Sequence, residues 1–83
     1  MKLIKLGAVW CPGCLASRPI YKELHEELNI NIIEYDIDID EEAEEYEVGN
    51  KLPVLIMLDD DNNEIKRLIG EKTKEEIIEF INS

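Results

Sequence analysis

No apolar run in this chain approaches the roughly 20 residues needed to span a bilayer. The longest runs, such as Val54 to Leu58, are a handful of residues. The first residues, Met1 to Gly7, lack a long apolar segment and a small-residue cleavage site, so no signal peptide is expected and a cytoplasmic location follows. Basic residues are scarce: nine Lys and Arg stand against twenty Asp and Glu, for a net charge of −11. Nine of those acids fall between Glu34 and Glu47, a span without Lys or Arg. Nucleic acid and anionic membranes both need a basic face, so neither is an expected partner. The acidic run reads as a solvated surface, with docking of a basic partner as its other use. Clustered acids with no other catalytic type beside them give no sign of a carboxylate-pair hydrolase. Histidine occurs once and cysteine twice. A mononuclear zinc site usually needs four Cys or His ligands, so no metal site is expected within one chain. His25 lies 11 residues past Cys14, about 16 Å along a continuous helix, and reads as a surface side chain.

An 83-residue chain is one domain, here residues 1–83, and is read as a monomer. At this size it buries only about 60–65% of its unfolded surface, so its core must be economical. The 45% apolar and 35% charged composition fits a soluble globule and not a disordered chain.

The hydropathy pattern predicts an α/β domain in the order β-α-β-α-β-β-α. Residues 2–9 read as a strand. Pro12 to about Leu28 reads as a helix, with Leu15, Ile20, Tyr21, Leu24 and Leu28 on its apolar face. Pro19 lies inside that helix and should bend it. Residues 32–39 alternate, Ile33, Tyr35, Ile37 and Ile39 inward and Glu34, Asp36 and Asp38 outward, as in a strand with one wet face. Asp40 is placed to cap a short helix over 41–48, with Gly49 as its stop. Val54 to Leu58 reads as a strand covered on both faces. A polar turn over 59–63 should make an antiparallel hairpin with a strand over 64–69. Gly70 breaks that strand. Thr73 and Glu76 form a capping box for a last helix, whose Ile77, Ile78 and Ile81 face inward. The first β-α-β unit should be a right-handed parallel crossover.

Both cysteines lie in Trp10-Cys11-Pro12-Gly13-Cys14, at the junction of the first strand and first helix. Unpaired N–H groups and the helix dipole there favour a thiolate at Cys11, while the chain's negative charge opposes it. Pro12 suits the first helical position, where its missing N–H has no partner to lose. Cys14 lies one turn on, within reach, and its N–H can point at the Cys11 sulfur. An exposed Cys11 sulfur would attack a disulfide, and Cys14 would then release the product. The alternatives for the pair are two buried small apolar residues or half of a metal site shared between two chains.

The element order, the Trp-Cys-Pro-Gly-Cys motif, Pro19 eight residues after Cys11, Leu52-Pro53-Val54 before the third strand and Gly70 after the fourth together resemble the thioredoxin/glutaredoxin superfamily. The resemblance covers nearly the whole chain but lacks the extra N-terminal strand and helix of full-length thioredoxins. It implies a minimal thioredoxin fold: a four-stranded mixed sheet flanked by three helices. It also implies a dithiol–disulfide oxidoreductase with Cys11 and Cys14 catalytic and no cofactor beyond their own disulfide. Protein disulfides would be its substrates, and a thioredoxin-reductase-type flavoprotein or glutathione its electron donor. By the same resemblance Trp10, Pro12, Gly13, Leu52, Pro53 and Gly70 line the substrate groove, Pro53 as a cis-proline beside the disulfide. From the residues alone, the other reading of Trp10 is a core aromatic, and of Pro53 and Gly70 plain turns.

Two features depart from the family pattern. Thioredoxins carry a buried acid six residues before the first cysteine, and here that residue is Lys5. Pointing inward as a cation, Lys5 would favour a Cys14 thiolate. Pointing outward, it would snorkel to the surface. The inner dipeptide is Pro-Gly, the reverse of the thioredoxin Gly-Pro and unlike the glutaredoxin Pro-Tyr. The glutathione-binding Gly-Gly pair of glutaredoxins is also missing, since only Gly70 stands before the last helix. A helix N-terminus near Lys72 and Lys74 suits a glutathione carboxylate, but Glu71 and the net charge oppose an anionic tripeptide. The glutaredoxin reading is therefore the second choice, and a metal- or partner-binding module a third.

Overall fold

A computed structural model describes residues 2–46, 48, 49 and 51–83. Its elements are β1 (Lys2–Gly7), α1 (Pro12–Leu28), β2 (Ile32–Asp36), a 3-10 helix (Glu41–Tyr46), β3 (Val54–Leu58), β4 (Glu64–Ile69) and α2 (Lys74–Asn82). The strands form one mixed sheet in the order β2-β1-β3-β4. β1 runs parallel to β2 and antiparallel to β3, and β3 and β4 form the antiparallel hairpin.

The period-2 alternation of β1 decides which side chain meets which layer. Leu3 joins Leu55 and Met57 of β3 against Tyr21 and Leu24 of α1 and Ile77 of α2. Ile4 and Leu6 point the other way, to Val54, Ile56 and Leu58 and to Ala43 of the 3-10 helix. All five residues of β3 are buried, as its unbroken apolar run requires.

The structure corrects the element reading in four places. β1 stops at Gly7, because Ala8 to Cys11 turn into the helix: the Cys11 N–H donates to the Ala8 carbonyl at 3.2 Å. β2 stops at Asp36, where the Asp40 side chain accepts the Asp36 N–H at 2.7 Å, so Ile39 leaves the sheet and is 72% exposed. Asp40 thereby closes the end of β2 and does not cap the next helix through its side chain. That helix is a single 3-10 stretch over 41–46; Glu47, within the span expected to be helical, lies outside the described residues. On α1 the buried face is Cys14, Ser17, Tyr21 and Leu24, while Leu15 and Leu28 are exposed. A helix that presents Cys14 to the sheet must turn its neighbour Leu15 away.

α1 begins at Cys11, whose extended backbone makes it the N-cap, with Pro12 in the first turn. It runs through Pro19 as one element and ends at Asn29 in the left-handed conformation (φ 53°), which asparagine tolerates. α2 opens on the expected capping box: the Glu76 N–H donates to Thr73 Oγ1, and the Thr73 N–H to Glu76 Oε1, both at 3.2 Å. Among the described residues no helix is long and apolar enough to cross a membrane.

Candidate functional site

The end of β1, the start of α1 and the turn into β3 bring the two cysteines into one apolar nest. Ala8, Cys11 and Cys14 pack together, with Ile37 and Leu52 against them. Cys11 is 6% exposed and Cys14 is 3% exposed. The expectation of an exposed Cys11 is thus corrected: it is buried in the cluster that Ile37 and Leu52 pack against. Both cysteines are free thiols.

The sulfur of Cys11 accepts the backbone N–H of Cys14 at 3.3 Å. An N-cap group faces the unpaired N–H groups of the first turn, so here the sulfur takes the place that a Ser or Asp oxygen takes in other helices. Cys14 differs. Its thiol is pushed up to about 11, chiefly by burial and then by the hydrogen bond with Cys11, while the Ala8 backbone and the Lys5 charge pull the other way. At neutral pH Cys14 is therefore a thiol.

Gly7 was not singled out by sequence reasoning, yet the site depends on it. A Cβ there would lie 3.1 Å from Cys14 Sγ. A glycine inside a strand pattern marks a close approach, and that was the available signal. Lys5 is the second structural finding. It is 1% exposed and points inward, which decides between the two orientations left open by the sequence. Its Nζ donates to the Cys14 carbonyl at 3.2 Å and to Glu34 at 3.3 Å, and lies over the Tyr21 ring, 5.0 Å from the centroid. Burial raises the Tyr21 hydroxyl above the ordinary tyrosine range, so that ring stays neutral.

The other residues expected to line a groove lie beside the start of α1, just before β3 and just after β4. Trp10 is 62% exposed, not a core aromatic, and its indole N–H donates to Asp38 at 2.6 Å. Pro12 is exposed at the helix tip. Gly13 has the Glu71 side chain against it: a Cβ at Gly13 would meet the Glu71 carboxylate at 3.3 Å. The Leu52–Pro53 peptide is cis, with Pro53 buried and its carbonyl accepting the Gly70 N–H at 2.9 Å. Gly70 has φ of 94° and open space where a side chain would stand. His25 is on the surface, its Nδ1 2.7 Å from the Ile30 carbonyl oxygen. Among the described residues no group of three or more His, Cys, Asp or Glu is placed to hold a metal.

A sheet of this topology, with a Cys-x-x-Cys pair at the N-terminus of the helix after its first strand and a cis-proline at the start of β3, defines the thiol–disulfide oxidoreductase class. The thioredoxin family model matches residues 1–83, and the chain belongs to that family. It is 38% identical over 82 residues to a thioredoxin of Chlamydia pneumoniae, covering 96% of this chain and 78% of that one. It is 36% identical over 81 residues to the thioredoxin of Chlamydia trachomatis serovar D, covering 95% and 78%. Among solved structures, thioredoxin 1 of Thermosipho africanus superimposes with a TM-score of 0.82 over 99% of this chain and 91% of that one, at 24% identity. Plasmodium falciparum thioredoxin gives 0.83 over 98% and 82%, at 21% identity. These likenesses do not favour a glutaredoxin.

Proposed function

We propose that this protein reduces disulfide bonds in other proteins through Cys11 and Cys14. The observation that supports this most directly is the Cys11 sulfur seated as the N-cap of α1 with the Cys14 N–H aimed at it. That geometry aims a backbone donor at the sulfur that attacks in thiol–disulfide exchange.

The Cys11 thiolate attacks one sulfur of the substrate disulfide. A mixed disulfide forms, and the other substrate sulfur leaves as a thiolate that takes a proton from water. Cys14 then loses its proton and attacks the Cys11 sulfur. The Cys11–Cys14 disulfide forms, the second substrate thiolate departs and is protonated. Two electrons pass from the protein to the substrate. No metal or organic cofactor takes part in either step.

Trp10, Leu52, Pro53 and Gly70 are proposed to seat an extended substrate segment, Trp10 by its exposed ring and Gly70 by leaving room. Pro12 and Gly13 form the floor beside the sulfurs. The proposed electron donor is a thioredoxin-reductase-type flavoprotein. The Glu71 carboxylate against Gly13 disfavours glutathione, which would bring its own carboxylates to that wall. A protein that reduces disulfides works in a reducing compartment, and the cytoplasm is the proposed location.

The test is a coupled NADPH assay with a protein disulfide substrate, run with thioredoxin reductase and separately with glutathione and its reductase. Turnover is expected with the first system; turnover only with the second overturns the proposed donor. Cys11→Ser should abolish turnover, and Cys14→Ser should accumulate a mixed disulfide with substrate. If Cys14→Ser loses activity with no trapped adduct, the assigned roles are wrong.

A further inference from the structure

Lys5 is a buried charge that neither exchange step above employs. The parallel register of β1 and β2 sets it opposite Glu34, and the antiparallel register of β1 and β3 sets it opposite Leu55. It shares the α1-facing side of β1 with Leu3, so its side chain runs beneath the first turns of that helix. Its ammonium meets three groups: the Cys14 carbonyl, the face of Tyr21 and one carboxylate oxygen of Glu34. The second Glu34 oxygen is held from outside by Arg18 at 3.2 Å. Leu55 and Ile77, from β3 and α2, close the layer without charge. A surface cleft lined by Arg18, Tyr21 and Glu34 also carries Lys22 and His25.

We propose that Lys5 is a positioning residue for the resolving cysteine, and that Glu34 holds the ammonium in place beneath Cys14. The inference rests on the dithiol reading above and assigns a role to a residue that reading leaves out. Cys14 must lose its proton before its sulfur attacks Cys11. Burial opposes that loss, and the Lys5 charge favours it. A cation so deeply buried needs a counter-charge beside it. Glu34 is the only carboxylate that reaches it among the bonds above, and Arg18 keeps that carboxylate from swinging into solvent. No proton passes to or from Lys5 in the step. The Cys14 proton goes to water, and the departing substrate thiolate takes one up, so the exchange stays balanced.

The experiment measures release from a mixed disulfide between Cys11 and a thionitrobenzoate group, followed by its colour, from about pH 6 to about pH 12, so that the scan passes the Cys14 value of about 11. Wild type, Lys5→Met, Glu34→Gln and the double variant are compared. Lys5→Met should slow release at neutral pH by about tenfold and move the midpoint of the pH profile up by about one unit. Glu34→Gln should change both in the same direction. The double variant should match Lys5→Met alone, because both changes remove one charge effect. A Glu34→Gln profile equal to or faster than wild type overturns the proposal, as does multiplication of the two losses in the double variant. Glu34→Gln is a surface change, so it remains informative even where Lys5→Met does not fold. Wild type that frees no thionitrobenzoate from its reagent disulfide would sink the dithiol reading itself, whereas normal wild-type release beside an unmoved Glu34→Gln profile sinks only the role of this pair.

Discussion

Gly7 has no side chain to keep Cys14 off the end of β1. An alanine there would place its Cβ 3.1 Å from the Cys14 sulfur and 3.3 Å from its Cβ, closer than such atoms normally sit. Gly7→Ala is expected to cost about 1–3 kcal/mol, as overpacking does, and to slow release by Cys14. Urea denaturation and the release assay check this, and unchanged values in both would contradict it. Cys14 itself makes the reduced protein sensitive to alkali. Its thiol is raised in the folded state from 9.0 to about 11, so the stability it contributes is complete below the unfolded value and is lost as pH rises through that window. Melting temperatures of the reduced protein should therefore fall between pH 9 and 11, and Cys14→Ser should remove part of that fall. At this scale the sequence was legible wherever local chemistry decided the outcome. The Cys14 N–H meets the Cys11 sulfur and the Thr73–Glu76 box closes as read, because both are fixed within a turn of helix. The direction of Lys5 was not legible, because it depends on Glu34, 29 residues away, arriving beside it through strand register.

The two helices hold their ends by different means. α2 is short and relies on its cap, so Thr73→Ala is expected to lower stability by about 1 kcal/mol in thermal melts. Glu76 is held below the ordinary carboxylate range by the Thr73 backbone N–H and then its hydroxyl. Glu64 is likewise lowered by Arg67, and Asp59 by the backbone N–H groups of the β3–β4 turn. A depressed carboxylate stabilises the fold above its unfolded value, and that contribution fades as pH falls through the folded one. Stability should thus decline below about pH 4, near the unperturbed carboxylate values, with a shallower decline in Thr73→Ala. An equal acid slope in the variant would count against the capping box as its source. Strand lengths were the least legible element property. Ile37 and Ile39 continue the alternation of β2, but the Ile37 N–H to the Gly7 carbonyl is the last rung to β1; beyond it the chain turns back, the Asp40 N–H bonding the Asp36 carbonyl and the Asp40 side chain the Asp36 N–H. A side chain bonding to backbone competes with a strand, and the hydropathy pattern does not reveal which prevails.

The whole molecule carries a net charge of −11 on 83 residues. Self-repulsion of that size strains a compact state, and salt screens it. The melting temperature is expected to rise from about 0.01 M to about 0.5 M ionic strength, where the screening length falls to a few ångströms. A melting temperature that is flat or falling would mean that ion pairs such as Lys74 with Glu23 and Glu27 outweigh the repulsion. Sequence alone determined the element order, the sheet it implies and the closeness of Cys11 and Cys14 at one helix start, because periodicity and a two-residue gap are local properties of a chain. Tertiary structure alone decided that Cys11 sits under Ile37 and Leu52, that Gly7 makes room for Cys14, and that Lys5 turns inward to Glu34. Each of those outcomes depends on two segments distant in sequence meeting across a strand register or a packed layer. Their meeting is a property of the assembled sheet and helices, and no single stretch of the chain records it.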